Sequence, residues 1–150
     1  AWMYYNGEGV VKDDRAAAEW YRKAADQGFA DAQTNLGLMY QNGEGVTKDD
    51  LAAVEWHRKA ANQGNAGGQS NLGLMYLHGR GVAKDEKVAV SWFKKSADQG
   101  YAQAQFMLGL LYVSGQGVTR DRSEARRFLS LAAEQGYEEA KALLKNPFWQ

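Results

Sequence analysis

The sequence contains no cysteine, which excludes a disulfide framework, a thiolate metal site and a cysteine nucleophile. That absence fits a reducing compartment and fits equally well an exported protein that needs no staples. There are only two histidines, His57 and His78, and neither has a second histidine or a cysteine nearby, so metal or triad chemistry lacks its partners. There is no excess of either charge: 18 basic residues balance 18 acidic ones. A nucleic-acid or anionic-membrane partner would call for a basic surplus, and none is present. No apolar run approaches the roughly 18–20 residues that cross a bilayer, so membrane insertion is not expected. Nothing in the pattern calls for a cofactor.

What the sequence has instead is itself, four times over. Displaced by 36 residues, GEGV at Gly7 falls on GEGV at Gly43, GRGV at Gly79 and GQGV at Gly115. WYRKAADQG at Trp20 likewise falls on WHRKAANQG at Trp56, WFKKSADQG at Trp92 and FLSLAAEQG at Phe128. A gapless period of this length is the signature of stacked helical units, each burying its apolar face on its neighbours. The expected division is one repeat domain over 1–150, with a partial unit 1–28, full units 29–64, 65–100 and 101–136, and a capping helix with tail over 137–150. In register, residues 1–4 fall on 37–40, so the helix they belong to is expected to begin upstream.

Each unit reads as two helices. The first spans about 30–41, with Ala32, Leu36, Met39 and Tyr40 on one apolar stripe. A glycine-rich connection follows, and Asp49 (Asp13, Asp85 and Asp121 in the other copies) stands where an N-cap belongs. The second helix spans about 50–63, with Ala53, Trp56, Ala60 and Ala61 read as inward and Gly64 as its stop. Recurrent Gly37, Gly73 and Gly109 within the first helix imply close approach of the paired backbones, with Trp20, Trp56, Trp92 and Phe128 filling the wider gap alongside. Glu19 and Glu55 precede Lys23 and Lys59 by four residues, suited to weak exposed ion pairs.

The unit pattern A-x-x-Q-x-L-G-x-x-Y, G-x-G-V-x-x-D, A-x-x-W-x-x-x-A-A-x-Q-G is carried by Ala32-Gln33, Leu36-Gly37, Tyr40, Gly43, Gly45-Val46, Asp49, Ala53, Trp56, Ala60-Ala61 and Gly64. It resembles the Sel1-like repeat family, relatives of tetratricopeptide repeats. The resemblance implies an all-α, right-handed superhelical solenoid and a role as an adaptor that binds another protein. It also implies a bacterial setting and slightly favours an exported, periplasmic location. A cysteine-rich branch of that family has carried a penicillin-interacting or β-lactamase label. This chain lacks those cysteines, so the resemblance does not bring that chemistry with it.

The Gly-x-Gly of the connection lacks the Lys-Ser/Thr of a phosphate loop and the strand a dinucleotide fingerprint follows, so it reads as a structural turn. His57 fills the slot of Tyr21, Phe93 and Leu129 and reads as a packing residue. No enzyme is expected. The informative slots are those that differ between copies on the first helices, which the resemblance places on a concave groove. These are Asp31, Thr34, Asn35, Leu38 and Gln41; then Ser70, Asn71, Leu74, Leu77 and His78; then Gln103, Phe106, Met107 and Leu110. Amides that both donate and accept, flanked by leucines, suit an extended peptide; the bland alternative is that the leucines pack on the adjacent unit. The aromatic residues near the ends, Trp2, Tyr5, Phe148 and Trp149, suit self-association, although the tail with Phe148 and Trp149 can instead fold back onto the last unit; the alternative function is a self-assembling segment with no separate ligand.

Overall fold

Each helix has a start and a stop written into it. The computed structural model describes residues 13–146 and 149. Among these lie eight helices and no strand: α1 (Asp14–Asp26), α2 (Ala30–Asn42), α3 (Asp50–Asn62), α4 (Ala66–His78), α5 (Glu86–Asp98), α6 (Ala102–Ser114), α7 (Arg122–Glu134) and α8 (Glu138–Leu144). The odd helices α1, α3, α5 and α7 begin at Asp13, Asp49, Asp85 and Asp121, as expected. Each aspartate has extended backbone, and its carboxylate accepts from first-turn N–H groups at 2.9–3.0 Å. Helices α2, α4 and α6 close on Gly43, Gly79 and Gly115 in the left-handed region. A backbone bond from Asp49, Asp85 and Asp121 to the carbonyls of Tyr40, Tyr76 and Tyr112 then shuts the loop.

The final helix ends at Leu144, well short of 150, and Trp149 turns back to be buried in the last core cluster. That placement takes Trp149 off the surface, so of the two readings of the tail, folding back onto the last unit or docking on another molecule, Trp149 follows the first. Trp2, Tyr5 and Phe148 lie outside the described residues.

Two packing expectations need correction. The mid-helix glycines make room for a side chain: a Cβ on Gly37 would lie 2.6 Å from the His57 ring, on Gly73 3.0 Å from Phe93, and on Gly109 2.6 Å from Leu129. The tryptophans do not fill the core. Trp20 is 50% exposed and Trp56 and Trp92 are half-buried, with Lys23, Lys59 and Lys95 over their rings at 4.7, 4.0 and 4.2 Å. A lysine stem covers apolar surface while its ammonium meets the ring face. Val54 and His57 point inward instead. Glu55 pairs with Arg58, three residues on, because Lys59 is engaged by Trp56.

Glutamines hold the stack in register. Buried Gln33, Gln69 and Gln105 each donate to a carbonyl eight residues back, those of Ala25, Ala61 and Ala97. Each also accepts at 2.7–2.8 Å from Gln63, Gln99 or Gln135, at the far end of the same unit's second helix. The amide thus ties three helix ends with no unpaired atom. Gln99→Ala leaves the buried Gln69 Oε1 without its donor, so urea unfolding should show a loss of about 1–3 kcal/mol. A loss below a few tenths would mean that the ladder is decorative.

Candidate functional site

The slots that vary between units do not form one uniform strip. First helices α2 and α4 touch directly across the unit boundary, and two adjoining clefts open along them. One, of about 630 Å³, runs from Tyr21 and Phe29 past Asp31, Ala32 and Asn35 to Asn65. The other, of about 510 Å³, runs from Asp31, Thr34 and Asn35 past Asn65 and Gly67 to Tyr101. They share Asp31, Asn35 and Asn65.

A hydrogen-bond chain fixes the shared wall. Asn65 is the N-cap of α4, its Oδ1 accepting from the Gly68 N–H at 2.8 Å. The Thr34 hydroxyl donates to the same oxygen at 2.9 Å, and Asn65 Nδ2 donates to Asp31 Oδ1 at 2.7 Å. A cap residue of one unit therefore orients two side chains of the unit before it. The Asn35 carboxamide is half-buried and makes no hydrogen bond among the described residues.

Of the residues expected on this face, Asp31, Thr34 and Asn35 line the clefts. Leu38, Gln41, Leu74, Gln103, Phe106, Met107 and Leu110 are half-buried, and His78 is exposed at the end of α4. Leu74, Phe106 and Met107 pack against the last core cluster, so for them the packing alternative holds. The middle unit departs from expectation. Ser70 is fully buried, Leu77 belongs to the core, and Asn71 is only 8% exposed. Asn71 is therefore not an open twin of Asn35.

The units also differ 31 residues downstream of these slots. Thr34 meets Asn65 and Phe106 lies against Tyr137 with tilted rings 4.8 Å between centroids, but Ser70 faces a unit whose corresponding residue is Tyr101. Its buried hydroxyl has no partner. Gly67, in the Asp31 slot of the varying stripe, also lines a cleft, and Phe29, Asn65 and Tyr101 do so without having been singled out in the sequence. Their signal was present, since the slot after each helix-ending glycine reads Phe29, Asn65, Tyr101 and Tyr137 while its surroundings repeat.

Among the described residues no group of His, Cys, Asp and Glu could hold a metal ion, and no helix is long and apolar enough to cross a membrane. His57 is fully buried with both ring nitrogens unpartnered, and burial lowers its pKa from 6.5 to about 4. The chain's one Ser-x-x-Lys spacing, Ser91 to Lys94, lies on the exposed side of α5, where Lys94 sits 5.9 Å from the centroid of the Tyr112 ring.

The same repeat and the same stack occur in known proteins. The Sel1 repeat matches residues 1–29, 30–65, 66–101 and 102–137. A protective antigen present in uropathogenic Escherichia coli strains, displaying an SLR fold, is 45% identical with a TM-score of 0.86, over 93% of this chain and 30% of the antigen. A Sel1 repeat protein from Oxalobacter formigenes is 40% identical with a TM-score of 0.88, over 95% of this chain and 58% of that one. The cysteine-rich protein B of Helicobacter pylori shares the fold, with a TM-score of 0.70 at 22% identity, over 89% of this chain and 96% of its own. No curated protein matches significantly in sequence.

Proposed function

The chain belongs to the Sel1 repeat family, and from that premise we propose that it holds an extended peptide segment of a protein partner along the two adjoining clefts of α2 and α4. Sel1 repeat proteins are generally protein-interaction scaffolds of typically non-enzymatic fold. The finer reading rests on one observation: two clefts run together around the half-buried Asn35 carboxamide, which has no bonding partner among the described residues. A carboxamide bonds a peptide group with donor and acceptor at once. The shared wall is pre-ordered by Asn65, which lowers the ordering cost of binding.

The test pans a phage-displayed library of random dodecapeptides on the domain and measures each enriched peptide by fluorescence anisotropy. Asn35→Ala should weaken binding about tenfold, the effect of leaving one buried polar group unpaired, with thermal stability nearly unchanged. Equal affinity of parent and variant, or no enrichment at all, would remove the groove reading.

A further inference from the structure

We infer that the clefts select a basic side chain, lysine or arginine, which the peptide sets against Asp31; this rests on the groove reading. Among the described residues, Asp31 is the only charged one lining either cleft. No lysine or arginine occurs on α2, α4 or α6, so these three first helices together offer an occupant one carboxylate and neither of those cations. The Asp31 carboxylate is in no ion pair among the described residues, and its one hydrogen bond is Asn65 Nδ2 to Oδ1. That bond fixes the carboxylate while leaving Oδ2 unbonded, and Asn65 is itself held by the Thr34 hydroxyl and the Gly68 N–H.

Aromatic rings stand at both ends of the paired clefts: Phe29 is 62% exposed and Tyr101 37% exposed. A pre-oriented carboxylate with aromatic faces nearby suits a cation on a long apolar stem, through charge-assisted bonds and ring contact together. Gly67 and Gln103 fill the corresponding slots of α4 and α6, and the next carboxylate at that register, Glu139 on α8, lines neither cleft. An acidic occupant would meet repulsion with no compensating cation.

The test takes the dodecapeptides enriched on the parent domain. A lysine or arginine at a recurrent position is expected, and replacing it by glutamine should weaken binding about tenfold. On the Asp31→Asn domain, which keeps an acceptor for Asn65, the same replacement should change affinity less than twofold. Enriched peptides that depend on Asn35 yet carry no recurrent basic residue would overturn this inference and leave the groove reading intact. So would a lysine-to-glutamine effect that is equal on parent and Asp31→Asn. The absence of any enriched peptide would overturn the groove reading and this inference with it.

Discussion

His57→Phe should stabilise the domain at neutral pH and remove most of its acid sensitivity between pH 6.5 and 4. The imidazole is fully buried against Gly37, and neither ring nitrogen has a partner. Each unsatisfied buried polar atom costs on the order of 1–3 kcal/mol, and phenylalanine carries none. The slot accepts the larger ring, since Phe93 occupies it in the next unit against Gly73 with no exposure. The pH dependence follows from burial, which lowers the His57 pKa from 6.5 to about 4. Above pH 6.5 the ring is neutral whether the chain is folded or not, and titration contributes nothing. As the pH falls below 6.5 the unfolded chain takes up a proton that the folded one refuses, so stability drops until the folded ring also titrates near pH 4. Over that window the loss is about 3 kcal/mol, because each tenfold difference in proton affinity between the two states is worth about 1.4 kcal/mol. The cap Asp121 and the first-turn Glu124, whose carboxyl pKa values are lowered by hydrogen bonds from the Glu124 N–H and from Arg127 respectively, also titrate on acidification, but they do so in parent and variant alike. Urea unfolding of both proteins at pH 7 and pH 4.5 isolates the histidine. A variant as acid-sensitive as the parent, or less stable at pH 7, would refute this account.

The architecture was legible because a repeat writes each local rule several times. Four aspartates at one register leave the N-cap reading little competition, and glycines at fixed offsets do the same for the loops. What failed was the assignment of side chains whose chemistry allows two homes. Trp56 shares a helix with inward alanines, and its size argued for the core. Its ring nonetheless rests half-buried at the seam because Lys59 can lie across it, while the smaller Val54 and His57 go inside. The glutamines were visible as recurrent polar residues on an apolar stripe. Their pairing joins residues 30 apart in sequence, a distance no local periodicity reports. Half of the cleft was legible: Asp31 and Thr34 stood out by varying between copies and Asn35 as a recurrent amide, and by the same criteria so did Ser70 and Asn71. Their burial is set by neighbouring units, and the slot where Asn65 and Tyr101 differ lies outside the helical stripe.

Gly81→Ala should be among the most damaging single-methyl additions in the chain, costing more than about 3 kcal/mol, whereas Gly64→Ala should cost about 1. Both residues have left-handed backbone, with φ of +66° and +85°. An alanine pays roughly 1–2 kcal/mol for that conformation at either site. The difference is what the new methyl meets. At Gly64 nothing lies within 4 Å, so the conformational cost stands alone. At Gly81 the Cβ would lie 2.2 Å from the Asp50 carbonyl oxygen and 3.0 Å from Val54. Both belong to α3 of the unit before, and backbone in the first turn of a helix cannot step aside as a flexible side chain can. The loop must lift instead, which breaks the 3.1 Å pair between Arg80 and Asp50 and opens the buried Val54. Gly45 against Asp14 and Gly117 against Glu86 repeat this contact at the other boundaries. The second glycine of each loop therefore acts as the seat of one unit on the last. In a stack whose cooperativity comes from nearest-neighbour interfaces, such a lesion should weaken coupling as well as stability. Urea unfolding of Gly81→Ala should thus show a lower midpoint and a broader or divided transition, with Gly64→Ala keeping the parent's slope. Equal losses for the two variants would mean that the close approach at Asp50 does not hold the units together.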